Sequence, residues 1–261
     1  MEIRTIASGS SGNCLLVSAG GSHLLVDAGI SCRRITAALA GLGLSPEALS
    51  GILITHEHTD HISGLATLTK KFHLPVYTAP GTARQLACRI PAIEDDLRPV
   101  SPGACFDLGP FTAETFPTSH DAAQPMGFTF ICGGRKAAVV TDLGYVSDDV
   151  LDGVIGADLV VCEANHDVDK LRSGPYPYPL KVRILSDRGH LSNEAGAALA
   201  LQCVEKGTKT IILAHLSAEN NTPALARQVV GDFLHRAGID PDRDILLATA
   251  PRGELSPGYE V

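Results

Sequence analysis

The stretch Thr55-His56-Glu57-His58-Thr59-Asp60-His61 decides the fold of this sequence, and it directly follows the apolar run Ile52-Leu53-Ile54. In an extended chain, residues two apart point to the same side, so His56 and His58 project together. A tight turn then brings Asp60 and His61 round, and a helix beginning near Ile62 would hold that turn in place. Imidazole and carboxylate groups together suit zinc, manganese or iron. This segment therefore predicts a metal site at the end of a strand.

The composition is that of a globular protein. The chain has 261 residues, of which 44% are hydrophobic and 19% are charged, and this excludes disorder as the main state. The net charge of −8 disfavours broad, non-specific nucleic-acid binding, but it leaves room for a local basic groove. The seven cysteines are odd in number and form no CxxC pair, which argues against a disulfide framework.

The sequence contains no sign of a membrane segment. No apolar stretch approaches the roughly 18–20 residues that a membrane span requires. The N-terminal residues lack the apolar region of a signal peptide. We therefore expect a cytoplasmic protein that does not bind a membrane.

Strand-like and helix-like segments alternate along the chain. Several aliphatic runs end at a polar residue, as Leu24-Leu25-Val26 does at Asp27, and such runs are typical of strands buried on both faces. Helices are predicted at Cys32–Gly41, Ile62–Phe72, Ala79–Cys88, Asn193–Lys206 and Pro223–Ala237. We expect a single α/β domain over residues 1–261, with two mixed sheets flanked by helices in four layers. The polar strand ends would meet at a shared rim of the two sheets.

The HxHxDH motif on a strand-to-helix turn resembles that of the metallo-β-lactamase superfamily. The other superfamily positions are matched in chain order by Asp27 in Leu-Leu-Val-Asp-Ala-Gly, His120 in Pro-Thr-Ser-His-Asp, Asp142 in Val-Val-Thr-Asp-Leu-Gly and His215 in Leu-Ala-His-Leu-Ser. The resemblance implies a four-layered αβ/βα metallo-β-lactamase sandwich.

The same resemblance implies a binuclear metal site. His56, His58 and His120 would hold the first divalent ion. Asp60, His61 and His215 would hold the second, with Asp142 between the two. Asp27 would orient a ligand histidine through a hydrogen bond. Two ions, zinc or manganese with iron also compatible, would activate a hydroxide for attack on the substrate.

The type of hydrolase is indicated by further segments. Zinc β-lactamases usually place a cysteine in the second metal site, and no cysteine stands in a matching block here. The segments around Ser8–Cys14, Glu163–Asp167, Gly189–Glu194 and Ala214–Ser217 resemble the small bacterial WalJ-type (YycJ-like) exonuclease family. That resemblance implies hydrolysis of DNA phosphodiester bonds, most simply at 5′ ends.

Three groups of residues are candidates for catalysis and substrate binding. Asp60, His190 and His166 are the candidate catalytic residues. Either histidine could donate a proton to a leaving oxygen, and His166 could equally be a hydrogen-bond partner of a site residue. Ser10 and Asn13 lie in a Gly/Ser-rich turn whose backbone could approach a phosphate, although an ordinary β-turn explains it equally well. Between Lys170 and Arg188 lie five basic residues and one acid. We interpret this stretch as a local basic loop that tracks single-stranded DNA, with contacts from Tyr176, Tyr178, Lys181, Arg183 and Arg188. The alternative is a proline-stiffened loop with ordinary surface charge.

Other functions stay open at this point. A thioesterase or lactonase of the glyoxalase II kind would share the ligand set, and a metal-binding scaffold that acts through a partner is the non-enzymatic alternative. RNA could replace DNA as the substrate. A homo-oligomer is also left open, since the chain has little room for a large nucleic-acid clamp.

Overall fold

Two seven-stranded sheets form the centre of the molecule. The structure is a computed structural model that describes residues 1–261. The first sheet has the spatial order β14-β1-β2-β3-β4-β5-β6. Its strands are β1 (Glu2–Ala7), β2 (Cys14–Ala19), β3 (Ser22–Val26), β4 (Leu49–Leu53), β5 (Val76–Thr78), β6 (Leu97–Pro99) and β14 (Tyr259–Glu260). The second sheet has the order β13-β12-β11-β10-β9-β8-β7. Its strands are β7 (Cys105–Leu108), β8 (Phe111–Pro117), β9 (Met126–Cys132), β10 (Arg135–Val140), β11 (Leu159–Glu163), β12 (Thr210–Ala214) and β13 (Leu246–Thr249).

The two sheets repeat one pattern of strand pairing. In the first sheet the pairings from β14 to β3 are antiparallel and those from β3 to β6 are parallel. In the second sheet the pairings from β7 to β10 are antiparallel and those from β10 to β13 are parallel. Strands β3 and β10 therefore occupy matching positions, where the two kinds of pairing meet.

Helices cover the outer face of each sheet. They are α1 (Cys32–Gly41), α2 (Thr59–Ile62), α3 (Leu65–Phe72), α4 (Pro80–Arg89), α5 (Asp148–Val154), α6 (Val168–Ser173), α7 (Tyr178–Ile184), α8 (Asn193–Glu205) and α9 (Pro223–Arg236), with 3-10 turns at Pro46–Ala48 and Pro91–Asp96. None of them combines the length and the apolar character that a membrane-spanning helix needs.

The apolar core is divided into three layers, which is what four stacked layers require. Along β3, Leu24 and Val26 face the cluster between the two sheets, whereas Leu25 faces the cluster beneath α1, α3 and α4. Along β11, Val161 faces the central cluster and Val160 faces the cluster beneath α5, α8 and α9. Neighbouring residues of a strand point to opposite faces, so strands with helices outside and a second sheet inside are apolar throughout. The predicted fold class is confirmed.

The predicted helices are found, with one division. Residues predicted as one helix, Ile62–Phe72, form α2 and α3, which separate at Ser63-Gly64. Gly64 donates its backbone N–H to Ala28 O, and a Cβ there would overlap the carbonyl oxygen of Ile30. The close approach of two chain segments therefore interrupts the helix. All seven cysteines are free.

The basic stretch predicted as a loop is mostly helical, and that prediction was wrong. Asp167 caps α6 by accepting from Lys170 N at 2.8 Å. Pro177 and Pro179 lie at the start of α7, where proline is tolerated because the first helical N–H groups need no partner within the helix. The prolines therefore begin a helix here instead of stiffening a loop.

Candidate metal centre

The polar residues at the strand ends converge at one rim of the sandwich. Asp27 follows β3, the Thr55–His61 segment follows β4, Asp142 follows β10 and His215 follows β12. His120 lies in the connection between β8 and β9. The candidate ligand atoms fall into overlapping groups within which every pair lies within 4.8 Å: His56, His58 and His120; His56, His61 and Asp142; Asp60, His61 and His215; Asp142, Glu163, His190 and His215. The structure thus brings together all seven residues that the sequence predicted as metal ligands.

Four of the histidines are held in the same manner, through Nδ1. His61 Nδ1 donates to Asp27 Oδ2 at 2.7 Å, and His215 Nδ1 donates to Glu163 Oε1 at 2.9 Å. His120 Nδ1 donates to the carbonyl oxygen of Gly189 at 2.9 Å, and His56 Nδ1 is hydrogen-bonded to Thr55 Oγ1 at 3.0 Å. Such partners fix the tautomer and the ring orientation of a metal-binding imidazole. The Nε2 atoms of His56 and His120 have no partner. That of His61 lies 3.1 Å from Asn13 Nδ2, and that of His215 lies 3.5 Å from Asp60 Oδ2.

The donor atoms fit divalent metal ions. His56 Nε2, His120 Nε2 and Asp142 Oδ2 are buried and have no hydrogen-bond partner. Buried polar atoms without partners are rare because their desolvation is costly, so three in one cluster point to a ligand-binding role for these atoms. A mixed imidazole and carboxylate set is suited to zinc, manganese or iron. The residues therefore fit divalent metal binding.

The carboxylates and histidines of this cluster strongly shift each other's pKa values. Burial lowers the pKa of His56 well below its usual value, and the neighbouring His61, His120 and His58 act in the same direction. Burial would also lower the pKa of His215, but Asp142, Asp60 and Glu163 outweigh it and raise that pKa to about 10. The site thus concentrates negative charge around His215, as expected where cations bind.

Asp27 contacts both ends of the motif. Its carboxylate accepts from Thr55 N at 2.9 Å and from Thr55 Oγ1 at 3.0 and 3.1 Å, in addition to His61. Because Thr55 also contacts His56, one carboxylate fixes the start of the motif and its last histidine. Thr55 was not singled out from the sequence.

Glu163 is the main site residue that the sequence analysis missed. It is fully buried, and its Oε1 accepts from Nδ1 of both His190 and His215 at 2.9 Å. Its Oε2 accepts from the backbone N–H groups of Leu143 and Leu191. The two histidines lower the pKa of Glu163 despite burial, which raises it. Glu163 lies at the carboxyl end of an apolar strand, and Asp142 follows one. This similarity was the feature of the sequence that could have identified Glu163 as a site residue.

The two predicted proton donors have different surroundings. His190 lies at the cluster, with its ring centroid 4.9 Å from that of His120 and 5.2 Å from that of His215, and its side chain is 17% exposed. His166 is outside the ligand groups, buried, and without a partner for either ring nitrogen. Burial lowers the pKa of His166 to about 4, so its ring is neutral near pH 7. The geometry favours His190 over His166 as a group that could move a proton.

The predicted substrate contacts are spread around the rim. Asn13 is buried, accepts from Gly9 N at 2.9 Å and lies 3.1 Å from His61 Nε2 through its Nδ2, while Ser10 is exposed. Tyr178 is 78% exposed on α7, and Tyr176 is half-buried. Lys181 donates from Nζ to the carbonyl oxygens of Arg172 and Gly174, so its amine caps the C-terminus of α6.

The two predicted arginines reach the cluster through its neighbours. Arg183 is paired with Asp121, whose Oδ1 lies 3.4 Å from His120 Nε2. Arg188 donates from Nη2 to His120 O at 3.3 Å. Both guanidinium groups are therefore placed beside the predicted ligands.

Comparison with known proteins places the chain in a family. Residues 22–216 match the beta-lactamase superfamily domain, and the chain therefore belongs to this superfamily. It is 43% identical over 239 residues to the exodeoxyribonuclease YycJ of Bacillus anthracis, with 91% of this chain and 90% of that protein covered. It is 41% identical over 237 residues to the exodeoxyribonuclease WalJ of Streptococcus pneumoniae, with 90% and 88% covered. These similarities confirm the resemblance to the WalJ-type family that the sequence motifs indicated.

A solved structure shows the same fold. The metallo-β-lactamase fold protein YhfI from Bacillus subtilis superposes with a TM-score of 0.72, covering 98% of each chain at 18% sequence identity.

Proposed function

We propose that this protein is a metal-dependent exodeoxyribonuclease that uses two divalent ions. The observation that carries the proposal is its 43% identity, over nine tenths of the chain, to a protein named exodeoxyribonuclease. The cluster of histidine and carboxylate ligands at the sandwich rim supports it, because that cluster provides the chemistry for hydrolysis. DNA as the substrate agrees with the predicted cytoplasmic location.

The metal ligands divide between two ions. His56, His58 and His120 would hold one, and Asp60, His61 and His215 would hold the other. Asp142 would be shared by the two. The overlapping groups in the cluster support this division, and the unpartnered Asp142 Oδ2 supports the shared position. Zinc or manganese suits the donor set, and iron is also compatible.

Bound divalent ions would supply a hydrolytic nucleophile at neutral pH and positive charge for the phosphodiester. The protein's own task is to keep the ligand nitrogens aimed at the centre. Asp27 does so for His61, Glu163 does so for His215, and the carbonyl oxygen of Gly189 does so for His120. Because these partners accept hydrogen bonds at Nδ1, each Nε2 stays available as a ligand.

His190 is the proposed proton donor to the leaving oxygen. Its Nδ1 is committed to Glu163 Oε1 at 2.9 Å, and its ring is partly exposed at the cluster. With Nδ1 held by a carboxylate, the proton to be transferred is the one at Nε2. A general acid must lie within hydrogen-bond reach of the group that it protonates, and the position beside His120 and His215 provides that reach.

The DNA strand is proposed to cross the face formed by α7. This helix presents Tyr178, Arg183 and, just beyond its end, Arg188 at one side of the cluster. Arginine binds phosphate with two parallel hydrogen bonds, and exposed tyrosines stack on bases without sequence preference. Tyr176 and Ser10 would add contacts at the edges. Single-stranded DNA is the form that stacking favours. We also propose that cleavage starts at the 5′ end and that the protein forms a homo-oligomer.

The test is an assay on end-labelled single- and double-stranded DNA with Mn²⁺, Zn²⁺ or a chelator. We expect stepwise loss from one end, abolished by chelator and by His58→Ala or Asp60→Ala. His235→Ala, which changes an exposed histidine on α9, is the matched control and should keep full activity.

Two outcomes would contradict the proposal. Full activity in Asp60→Ala would refute the proposed arrangement of two ions. Absence of DNA cleavage by protein shown to contain metal would favour a thioester or lactone as the substrate, and assays on both would then be decisive.

A further inference from the structure

A cleft opens directly beside the metal-binding cluster. Its volume is about 700 Å³, and His120 forms part of its wall together with Ser119, Gln124, Tyr145 and Arg188. Pockets that bind small molecules have volumes of about 300–1,000 Å³. The cleft is therefore large enough for a nucleotide unit, and it shares the residue His120 with the predicted metal-binding cluster.

The wall that carries Tyr145 is fixed to the segment that carries His120. Ser119 Oγ accepts from the backbone N–H groups of Gly144 and Tyr145, each at 3.1 Å, and Gly144 N also donates to Ser119 O at 2.8 Å. A Cβ at Gly144 would overlap the backbone of Asp187, so a third segment packs against the same place. The position of Tyr145 relative to the metal ligands is thus set by backbone contacts.

Tyr145 lines this cleft and is half exposed. It has 50% of its surface accessible, and no hydrogen bond involves its hydroxyl group. A tyrosine side chain has only two rotatable torsions, so ordering it on binding costs little conformational entropy, and its ring is a good stacking surface. Stacking of bases on aromatic side chains occurs with every base, as a nuclease without sequence preference needs.

Arg188 supplies a phosphate contact in the same cleft. One of its guanidinium nitrogens donates to His120 O, and the side chain is otherwise exposed. Asp187 also lines the cleft, so the lining is not strongly basic. Charge alone would therefore bind a nucleotide weakly there, and the ring of Tyr145 provides the further contact.

We propose that this cleft is a nucleotide subsite for the DNA strand next to the scissile phosphate, with Tyr145 stacking on the base and Arg188 contacting its phosphate. The proposal rests on the nuclease function proposed above. Tyr145 acts on substrate binding, and the ligand cluster does not depend on its side chain.

The test uses 2-aminopurine, whose fluorescence is quenched when it stacks. Single-stranded oligonucleotides with phosphorothioate linkages, which slow cleavage, carry the probe at successive positions from the end and are titrated with the metal-loaded protein. We expect strong quenching at one position, its loss in Tyr145→Ala and its retention in Tyr145→Phe. In parallel, KM for DNA should rise about tenfold in Tyr145→Ala, the change expected for one lost base stack. Hydrolysis of bis(p-nitrophenyl) phosphate should be unchanged.

Leu246→Ala is the matched control, because Leu246 is 49% exposed and begins β13, at the end of the strand away from the cluster. It should change neither the quenching nor KM. If the wild-type protein degrades DNA but Tyr145→Ala retains both the quenching and the wild-type KM, the nucleotide subsite is refuted and the nuclease function stands. An equal loss of hydrolytic activity on DNA and on the small ester would also refute the subsite, because Tyr145 would then be needed for the structure of the site. Failure of the wild-type protein to degrade DNA would instead refute the nuclease function.

Discussion

Two aspartates occupy corresponding positions in the two sheets and share an unusual backbone conformation. Asp27 follows β3 with φ 62°, and Asp142 follows β10 with φ 61°. Positive φ is uncommon for residues other than glycine, and aspartate is among those that tolerate it best. Strained positions of this kind persist where the surroundings enforce them, often at functional sites. The same turn thus aims one carboxylate at Thr55 and His61 and the other into the cluster.

At the residue scale, Glu163→Gln tests the carboxylate that holds two histidines. Glutamine keeps the shape, but it has one acceptor oxygen for the four donors that Glu163 serves. Loss of such a partner typically weakens metal binding 10- to 100-fold. Calorimetric titration of the metal-free protein should reveal this, with activity partly recovered at high metal concentration. Glu205→Gln, an exposed residue at the end of α8, is the control, and equal metal affinity in both variants would contradict the assigned role.

The ligands within the Thr55–His61 motif were predictable because their spacing alone places them on one turn. The role of Glu163 was not predictable, because it acts through hydrogen bonds to histidines that are distant in sequence. No local pattern marks such a contact. The role of Lys181 was equally hidden, since only the fold shows its amine bound to the carbonyls that end α6.

At the scale of elements, the metal-binding turn is hydrogen-bonded both to the turn between β1 and β2 and to the loop after β3. Asp60 O accepts from Asn13 N, and His61 O accepts from Ala28 N, each at 2.8 Å. A Cβ at Gly29 would overlap the backbone oxygen of Asp60. The two segments can approach this closely only because position 29 has no side chain.

Gly29→Ala should therefore displace the metal-binding turn. We expect a loss of about 1–3 kcal/mol in the free energy of unfolding, the usual cost of overpacking, together with weaker metal binding. Urea denaturation and metal titration would measure the two effects. Gly41→Ala is the control, because its Cβ meets nothing within 4 Å and alanine is the better helix former. Equal stability of the two variants would show that the contact at Gly29 is unimportant.

Helix α7 provides a second prediction at this scale. Replacing Arg183 and Arg188 together by alanine should weaken DNA binding and flatten its dependence on salt concentration, because fewer phosphate contacts release fewer counterions. Hydrolysis of a small phosphodiester should be spared. Binding would be measured by fluorescence anisotropy across a salt series. Arg135→Ala with Arg243→Ala removes the same charge from two exposed, acid-paired sites, and a similar loss there would exclude a specific role for α7.

The sequence predicted most elements of the fold because each has a strong periodicity or an apolar run. Helix α1 was found with its exact bounds, Cys32–Gly41. Helices α5, α6 and α7 were missed because they have only six or seven residues, too few for a clear period, and α7 contains the prolines that usually break helices. Short elements depend on their neighbours, which a sequence read along the chain does not reveal.

At the scale of the whole molecule, the predicted ligands come from both sheets. His56, His58, Asp60 and His61 follow a strand of the first sheet, and Asp142 and His215 follow strands of the second. Metal bound at the rim would therefore connect the sheets as well as serve catalysis. That residues 1–261 form a single domain stays a prediction, and a unified melting transition would support it.

Metal loading should consequently stabilise the entire protein. At a free metal concentration 100 times the dissociation constant, binding adds about 2.7 kcal/mol to the free energy of unfolding. Differential scanning calorimetry should give one unfolding transition. Its midpoint should move to higher temperature with Mn²⁺ or Zn²⁺ and return to the metal-free value with chelator. Asp60→Ala should show a smaller shift than wild type. A second transition that is insensitive to metal would argue for separate domains.

The division of the ligands between the sheets also has a consequence for biosynthesis. A ribosome completes the His56–His61 segment long before it reaches His215, so the growing chain carries three exposed histidines and an aspartate without their later partners. During that interval the nascent segment can capture a metal ion only incompletely. The order of synthesis therefore makes tight metal acquisition a late event that follows the docking of the second sheet.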